Sequence, residues 1–211
     1  MVKVAKIVND LGEVLEVEIQ IGRKVAKISG NKAVLFGPNG GGKSSILKAI
    51  SKSYSESVYV DICKVYRNGV EQIDVCQEDV AFDDPEVADR LTLILTRFDG
   101  TWRIYYDKAL RGGKWVKIAR LSFGERRLLA LAYAVQFFDK YTVLLIEAVE
   151  AGLSPAWLQV LFDYLTELKP VVMAEGHSED TLRLARERGW RIYYVDKTDV
   201  REVEDLAKAL A

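Results

Sequence analysis

A glycine-rich segment that ends in a lysine and a serine is the part of this sequence best suited to chemistry. The segment Gly37–Ser44 fits the pattern Gly-x4-Gly-Lys-Ser and directly follows the apolar stretch Val34–Phe36. Glycines let a chain wrap around a polyphosphate with its N–H groups pointing inward, along a path that requires positive φ and leaves no room for Cβ atoms. A helix predicted from Ser45 would direct its positive dipole end toward the same anion. The segment therefore predicts a phosphate-binding loop.

The residues of this loop have distinct predicted roles. Lys43 would reach the β- and γ-phosphates of a nucleotide, and Ser44 would hold Mg²⁺. The predicted nucleotide contacts in this loop are Asn39, Gly40, Gly42, Lys43, Ser44 and Ser45. An ordinary glycine-rich turn is the alternative, and the Lys-Ser pair together with both flanking elements argues against it.

A second serine stands before a helix farther along the chain. Ser122, within Leu121–Glu125, is a natural N-cap for the helix predicted from Gly124 to about Phe138. The free N–H groups behind it would form another anion site. An ordinary helix cap is the alternative interpretation. One nucleotide cannot easily use both helix termini within one subunit, so a second anion site raises the question of a second subunit.

These two segments together resemble the ATP-binding-cassette (ABC) ATPases. Leu121–Glu125 is similar to the signature motif of that family, usually Leu-Ser-Gly-Gly-Gln or -Glu, with Phe123 in place of the first glycine. The same replacement occurs in the SMC-, RecF- and OLD-like branch, which the chain resembles more than the transporter branch. The resemblance implies two subunits packed head to tail around ATP and Mg²⁺. Ser122 and Gly124 of one subunit would then face the γ-phosphate held by the other.

Two further segments follow in the order that the resemblance implies. Val143–Glu147 reads as a buried strand ending in an acid and resembles Walker B, whose carboxylate holds a water of the Mg²⁺ shell. His177, the only histidine, follows the predicted strand Val171–Ala174 and looks like the switch histidine that contacts the γ-phosphate. A lone histidine is more often a core or surface group, but this position favours a functional one. Lys43, Glu147 and His177 are the predicted catalytic residues.

The residue after Glu147 departs from the family pattern. ABC ATPases usually place there a glutamate that orients or deprotonates the attacking water, whereas this sequence has Ala148. Loss of a general base typically costs roughly 10²–10⁴-fold in rate. Slow hydrolysis, replacement by another group such as Glu150, and an engineered substitution that traps the ATP-bound dimer are the open explanations. The sequence predicts ATP·Mg²⁺ binding and ATP-dependent pairing, with a non-hydrolysing switch that docks a protein partner as the alternative.

The family also uses a glutamine that senses Mg²⁺, and Gln77 is its predicted equivalent because it follows a strand and precedes a polar stretch. A solvated turn glutamine is the alternative. The predicted metal set is therefore Ser44, Gln77 and Glu147. A transporter subunit is a further possibility, but no aromatic residue precedes Phe36, where transporter cassettes usually stack adenine.

The order of predicted elements indicates an α/β fold. The predicted strands before the phosphate loop are Val2–Val8, Val14–Ile21, Val25–Ser29 and Ala33–Phe36. Hairpins are predicted for Val58–Tyr66 with Val70–Val75 and for Leu91–Arg97 with Trp102–Tyr106. Helices and strands alternate from Gly124 to a last helix at Val200–Leu210, which predicts a largely parallel sheet flanked by helices. The resemblance implies one ABC-type P-loop NTPase domain over residues 1–211, with an N-terminal antiparallel β subdomain and a β-rich insert at about 54–120.

Composition excludes few classes of protein. The chain has 211 residues, 30 basic and 31 acidic, so no global field draws it to nucleic acid or lipid. No apolar run approaches the roughly 20 residues that cross a bilayer, and the start lacks a signal-peptide core, which predicts a cytoplasmic protein without a membrane segment. Cys63 and Cys76 match no metal or redox spacing and are predicted to be reduced, partly buried thiols.

The stretch 102–127 could recognise a DNA or protein partner. Its basic residues are Arg103, Lys108, Arg111, Lys114, Lys117, Arg120, Arg126 and Arg127, interleaved with Trp102, Tyr105, Tyr106 and Trp115. Basic side chains with exposed aromatic rings can follow a phosphate backbone and stack on bases. A solvated hairpin with its aromatic rings packed inward is the alternative that we favour from the sequence.

Overall fold

A computed structural model describes residues 2–10, 14–21, 24–139 and 141–205. The strands are β1 Val2–Asp10, β2 Val14–Ile21, β3 Lys24–Gly30, β4 Lys32–Phe36, β5 Ser57–Asp61, β6 Lys64–Arg67, β7 Val70–Asp74, β8 Arg103–Tyr105, β9 Lys108–Arg111, β10 Lys114–Lys117, β11 Val143–Glu147, β12 Val171–Glu175, β13 Arg191–Val195 and β14 Val200–Glu202. The helices are α1 Lys43–Ser53, α2 Pro85–Leu95, α3 Phe123–Val135, α4 Pro155–Glu167 and α5 Glu179–Glu187.

The described strands form three sheets. The central sheet has the order β14-β13-β4-β12-β11-β5-β6-β7, and its five inner strands from β13 to β5 are parallel. The antiparallel strands β14, β6 and β7 complete its edges. The N-terminal strands form a three-stranded antiparallel sheet, β1-β2-β3. A second three-stranded antiparallel sheet has the order β10-β9-β8. This confirms the predicted α/β fold with a largely parallel sheet and an N-terminal antiparallel β subdomain.

Both faces of the central sheet are buried, which is why its strands read as continuous apolar runs. In β11, Leu144 and Ile146 pack into the cluster that also holds the apolar residues of α2 to α5. Val143 and Leu145 face the opposite cluster, which contains α1 and the N-terminal sheet. Because the inner strands are parallel, their carboxyl ends meet at one edge, where β4, β11 and β12 deliver their last residues.

The predicted strand Leu91–Arg97 is wrong, because most of it belongs to α2. Asp84 caps this helix by accepting a hydrogen bond from the Glu86 N–H at 2.9 Å, and Pro85 stands in its first turn. The buried residues Ala88, Leu91 and Leu95 recur at helical spacing. A run of leucine, threonine and isoleucine is typical of a strand. The N-cap and the helical spacing of the buried residues nevertheless favour a helix here.

The predicted last helix, Val200–Leu210, is also wrong where the structure describes it. Val200–Glu202 forms β14, antiparallel to β13, and Val200 pairs with Val195. The Asp196 carboxylate accepts hydrogen bonds from the Thr198 and Asp199 N–H groups at 2.7 and 2.8 Å, which stabilises the turn between the two strands. Residues 206–211 of the predicted helix lie outside the described residues.

The two cysteines are joined rather than free. The structure links Cys63 to Cys76 in a disulfide, so the prediction of two thiols is wrong. Val58–Tyr66 is not one strand but two, β5 and β6, which turn back at Ile62. The Val75 N–H then donates to the Cys63 carbonyl at 3.0 Å, and this contact brings Cys76 beside its partner. Spacing along the chain does not reveal such a pairing.

Candidate nucleotide-binding site

The loop between β4 and α1 ends at an uncapped helix terminus. Gly40 and Gly42 have φ values of 72° and 109°, and a Cβ at either position would meet no atom within 4 Å. Backbone path rather than crowding therefore requires glycine at these two positions. No side chain caps α1, so its first N–H groups can bind an anion. Asn39 and Ser45 are exposed on either side of these glycines.

Lys43 is a buried cation held by carbonyls of its own loop. Its side chain is 2% exposed, and Nζ donates to the carbonyl oxygens of Gly37 and Pro38 at 2.9 and 3.0 Å. Nζ also lies 3.8 Å from Oε1 of Glu175. A buried charge is costly unless it is paired. The loop thus holds a positive charge in place beside the helix terminus.

Glu175 is a site residue that sequence reasoning missed. It ends β12, its side chain is 5% exposed, and it accepts a hydrogen bond from Ser44 Oγ at 2.7 Å. His177 Nε2 lies 3.0 Å from the same carboxylate. Glu175 therefore joins the predicted residues Lys43, Ser44 and His177 into one group. The sequence does contain a signal for Glu175, because an apolar strand ends in this acid. The same pattern is the basis for the prediction of Glu147.

Glu147 and Asp61 end adjacent parallel strands and are register partners. The Tyr59 hydroxyl donates to Glu147 Oε2, and Lys48 Nζ lies 3.4 Å from that oxygen. Burial acts to raise the pKa of Glu147, but the hydroxyls of Tyr59 and Ser44 and the charge of Lys48 outweigh it, so this pKa lies below its usual range. Burial and the charge of Glu147 raise the pKa of Asp61. The site therefore favours an ionised carboxylate at Glu147.

Arg127 connects these strand ends to α3. It is fully buried, and Nη1 donates to the Ile62 carbonyl at 2.6 Å. Nη2 donates to the carbonyls of Glu147 and, at 3.4 Å, Ala148. Burial lowers the pKa of Arg127 to about 10, which leaves it charged at neutral pH. Since α3 begins just after Ser122, the second helix terminus is tied to the turns that follow β5 and β11.

The N-terminus of α3 is capped and exposed. Ser122 Oγ accepts from the Glu125 N–H at 3.3 Å, and Glu125 Oε2 accepts from the Ser122 N–H at 2.8 Å, which is a capping box. Arg111 Nε donates to Glu125 Oε1 at 2.8 Å and fixes that carboxylate. Phe123 is 42% exposed. Within the described chain, neither Ser122 nor Phe123 has a hydrogen bond or ion pair to Lys43.

Comparison with known families identifies the family to which the chain belongs. Residues 69–178, just over half of the chain, match the family described as "AAA domain, putative AbiEii toxin, Type IV TA system". The chain belongs to this AAA-domain family. The matched region begins after Gly37–Ser44 and ends just after His177, so it includes Ser122 and Glu147. No curated protein sequence matches the chain.

Solved structures share the fold of this AAA domain. An SMC head bound to the C-winged helix domain of ScpA has a TM-score of 0.63 at 14% identity, covering 94% of this chain and 98% of that chain. The SMC head domain from Thermotoga maritima gives 0.58 at 14%, covering 92% and 98%. A nucleotide-free ATP-binding cassette from an ABC transporter gives 0.58 at 15%, covering 94% of each chain. The predicted ABC-type P-loop ATPase fold, similar to SMC heads, is confirmed.

In this AAA domain, no carboxylate occupies the position after Glu147. Ala148 has a φ of 46°, which is uncommon for a residue other than glycine. The nearest acid along the chain, Glu150, accepts a hydrogen bond from the His177 N–H at 2.6 Å. Its Oε2 is buried without a hydrogen-bond partner among the residues that the structure describes. Glu150 therefore supports the His177 loop, and the structure gives it no contact with Ser44 or Lys43.

The AAA domain does not bring Gln77 to this site. Gln77 is exposed on the turn after β7, where its N–H donates to the Asp74 carbonyl at 3.3 Å. β7 is the edge strand of the central sheet, and β5 and β6 separate it from β11. Asp61 is instead the polar residue at the strand end next to Glu147. The interpretation of Val58–Tyr66 as one strand misses the turn that follows Asp61, and a metal-sensing role for Gln77 stays a prediction.

The side chains around Ser44 suit Mg²⁺. This ion is usually bound by one or two carboxylates together with substrate phosphates and several waters. A hydroxyl at Ser44 and an ionised carboxylate at Glu147 fit that donor set. In residues 2–10, 14–21, 24–139 and 141–205, no three His, Cys, Asp or Glu side chains cluster so that they could hold a metal alone. The rest of the coordination shell of a cation here would therefore come from phosphate oxygens and waters.

Gly124 gives a direct test of how α3 packs on the loop after β11. A Cβ at Gly124 would overlap the Gly152 carbonyl oxygen. We expect Gly124→Ala to lower the free energy of unfolding by about 1–3 kcal/mol, because the backbone must shift. Gly100→Ala is the matched control, since nothing lies within 4 Å of its Cβ position. Urea denaturation would measure both, and equal stabilities would contradict the tight contact.

No helix among the described residues is long and apolar enough to span a membrane.

Proposed function

We propose that this protein binds ATP·Mg²⁺ at Gly37–Ser44 and that ATP joins two copies head to tail. Each triphosphate would lie between the loop of one copy and the Ser122 helix terminus of the other. The observation that carries the proposal is the presence of two helix termini with N–H groups that no capping side chain binds: α1 behind its glycine loop, and α3, whose capping box does not bind the N–H groups of Phe123 and Gly124. In such a pair, the triphosphate bound at Gly37–Ser44 of one copy would be the anion that contacts the exposed α3 terminus of the other copy.

The residues of the loop would bind the nucleotide with charges that are already in place. Lys43 would bind phosphate oxygens in exchange for the carbonyls of Gly37 and Pro38, to which it now donates. Ser44 and Glu147 would hold Mg²⁺, which when bound neutralises phosphate charge. His177 would face the γ-phosphate, with its ring held by Glu175. Lys43 and Ser44 would therefore exchange hydrogen-bond partners within the site, while the backbone that carries them stays in place.

ATP hydrolysis is the proposed activity, at a slow rate. Ala148 supplies no general base, and Glu150 is engaged by the His177 backbone. Glu175 accepts a hydrogen bond from Ser44 and lies beside His177, so it is already occupied in holding the site together. A non-hydrolysing ATP-sensing switch that docks a protein partner is the second candidate, and Ala148 is the observation that favours it.

Light scattering with and without nucleotide tests the pairing. We expect a mass near the chain's 23.8 kDa without nucleotide and near twice that value with ATP·Mg²⁺. ADP·Mg²⁺ is the matched control and should leave the mass at the lower value, because it lacks the γ-phosphate that both copies would share. A single-chain mass with saturating ATP·Mg²⁺ would disprove pairing while leaving the binding site itself intact.

Ser122→Arg is expected to spare ATP binding and to prevent pairing. The added side chain would fill the space in front of the α3 terminus, far in sequence from the loop that binds the triphosphate. We expect at least a tenfold loss in the association constant of the ATP-bound dimer, measured by light scattering over a dilution series, with unchanged binding of a fluorescent ATP analogue.

Ser122→Ala serves as the control for the cap. It removes the hydroxyl that accepts from Glu125 but adds no bulk, so its expected cost is the loss of a cap, about 0.5–2 kcal/mol in stability. If Ser122→Arg still pairs like the wild type, the assignment of Ser122 to the seam is wrong.

A further inference from the structure

The three-stranded sheet β10-β9-β8 presents cations and aromatic rings to solvent, and none of these is among the residues assigned to the nucleotide. The register of the three strands places residues side by side in rows that run across the sheet, and every second row lies on the same side. We call the six residues of two such rows the outer face: Arg103, Leu110 and Trp115 in one row, and Tyr105, Lys108 and Lys117 in the other. The intervening residues Ile104 and Ala109 are buried, which fixes the direction of the face. Lys114 pairs with Arg111 and so belongs to the opposite side of the sheet.

The rings of the outer face are open to solvent. Tyr105 is 72% exposed and Trp115 is 52% exposed, and their centroids lie 6.5 Å apart. Trp102, from the same stretch, is completely buried. The favoured expectation of aromatic rings packed inward is therefore correct for Trp102 and wrong for Tyr105, Trp115 and the half-exposed Tyr106. Two neighbouring exposed rings on a sheet surface offer flat apolar area that this chain does not cover.

The cations beside these rings are largely unneutralised. Lys108 forms no side-chain hydrogen bond or ion pair within the described part of the chain. Lys117 has only a distant partner, Asp107, at 3.8 Å. Arg103 donates to the Gly100 and Trp102 carbonyls, which carry no formal charge. The whole chain has a net charge of −1, whereas the six residues of the outer face include three cations and no acid.

We propose that the outer face binds single-stranded nucleic acid, with bases stacked on Tyr105 and Trp115. Arg103, Lys108 and Lys117 would contact the phosphates. The unneutralised cations favour a polyanionic ligand. The exposed rings favour a nucleic acid whose bases are accessible for stacking. Bases of a duplex are stacked inside the helix and cannot use such rings. Because the face needs neither ATP nor a second copy, the proposal stands apart from ATP-dependent pairing.

The sheet that carries the face is firmly attached to the domain. Arg111 of β9 pairs with Glu125 of the α3 capping box and with Asp99. Its guanidinium also lies over the rings of Trp102 and Trp157, at 5.6 and 5.4 Å from their centroids. These contacts lie on the inner side of the sheet, so substitutions on the outer face leave them in place.

Fluorescence anisotropy with labelled 15-nucleotide strands tests the proposal, in the absence of ATP and at salt concentrations from 50 to 200 mM. We expect oligothymidylate or oligouridylate to bind at least tenfold more tightly than a duplex of the same length. The comparison of the two strands shows whether DNA or RNA is preferred. Tyr105→Ala combined with Trp115→Ala should weaken single-strand binding at least about tenfold and leave the salt dependence unchanged.

Charge removal gives an independent measurement. Lys108→Gln combined with Lys117→Gln should reduce the slope of log K against log salt by about 1.4, because each phosphate contact on a single strand contributes about 0.7. Lys24→Gln combined with Lys169→Gln is the matched control, since both lysines are exposed elsewhere on the protein. It should leave the slope as in the wild type. Thermal melting verifies that all variants fold.

Four outcomes would overturn the proposal. The wild type could fail to bind either single strand at 50 mM salt, or the face variants could bind like the wild type. The duplex could bind as tightly as the single strands. A 15-residue oligoglutamate could bind as tightly as oligothymidylate, which would reduce the face to unspecific attraction of polyanions and favour an acidic protein partner.

Discussion

Lys43→Ala is expected to weaken ATP·Mg²⁺ binding by at least about 100-fold. The structure places the Lys43 ammonium, 2% exposed, against two carbonyls of the loop that would surround the phosphates. Hydrogen bonds to charged groups contribute about 1.5–3 kcal/mol each, and two such bonds to phosphate oxygens correspond to a factor of 100 or more. Isothermal titration calorimetry with ATP·Mg²⁺ would measure the loss.

Lys52→Ala is the matched control for this variant. Lys52 lies on the same helix, α1, but it is exposed and belongs to the last turn. It should bind ATP like the wild type. Lys43→Ala also leaves the Glu175 carboxylate with only Ser44 and His177, so a melting curve must accompany the titration. A folded Lys43→Ala protein that binds ATP within threefold of the wild type would refute the phosphate-binding loop.

Ala148→Glu is expected to raise steady-state ATP hydrolysis by about 10²–10⁴-fold, the usual contribution of a general base. Position 148 directly follows Glu147, and Arg127 holds the carbonyls of both residues. The backbone at 148 already has a φ of 46° with a Cβ present, so a glutamate adds no new backbone strain beyond that of alanine. Phosphate release at saturating ATP·Mg²⁺ would measure the rate.

Ala148→Gln separates proton transfer from mere positioning. Glutamine has the shape of glutamate but cannot accept the proton of the attacking water, so it should hydrolyse ATP at the rate of the wild type. Equal acceleration by both variants would show that the new side chain orients water without acting as a base. No acceleration by Ala148→Glu, with ATP binding retained, would favour the non-hydrolysing switch.

The sequence alone determined those parts of the site whose residues are adjacent in the chain. The glycine segment Gly37–Ser44, the acid that ends β11 and the Ser122 cap of α3 depend on spacing over a few residues. Such local hydrogen bonds and backbone conformations are largely independent of distant partners. The same kind of local signal is present at α2, where Asp84 and Pro85 start a helix. The apolar and β-branched residues of Leu91–Arg97 are also typical of a strand, and this pattern led to the wrong prediction.

Only the tertiary structure decided which distant residues meet. Glu175 and Asp61 join the site because β12 and β5 flank β11, and strand order is set by pairing across the whole sheet. Gln77 lies elsewhere, and Cys76 meets Cys63, because β5, β6 and β7 form a meander. Exposure is decided in the same way. Tyr105 and Trp115 face outward while Trp102 is buried, because the side of a strand that reaches the core depends on register, and a shift of one residue reverses it.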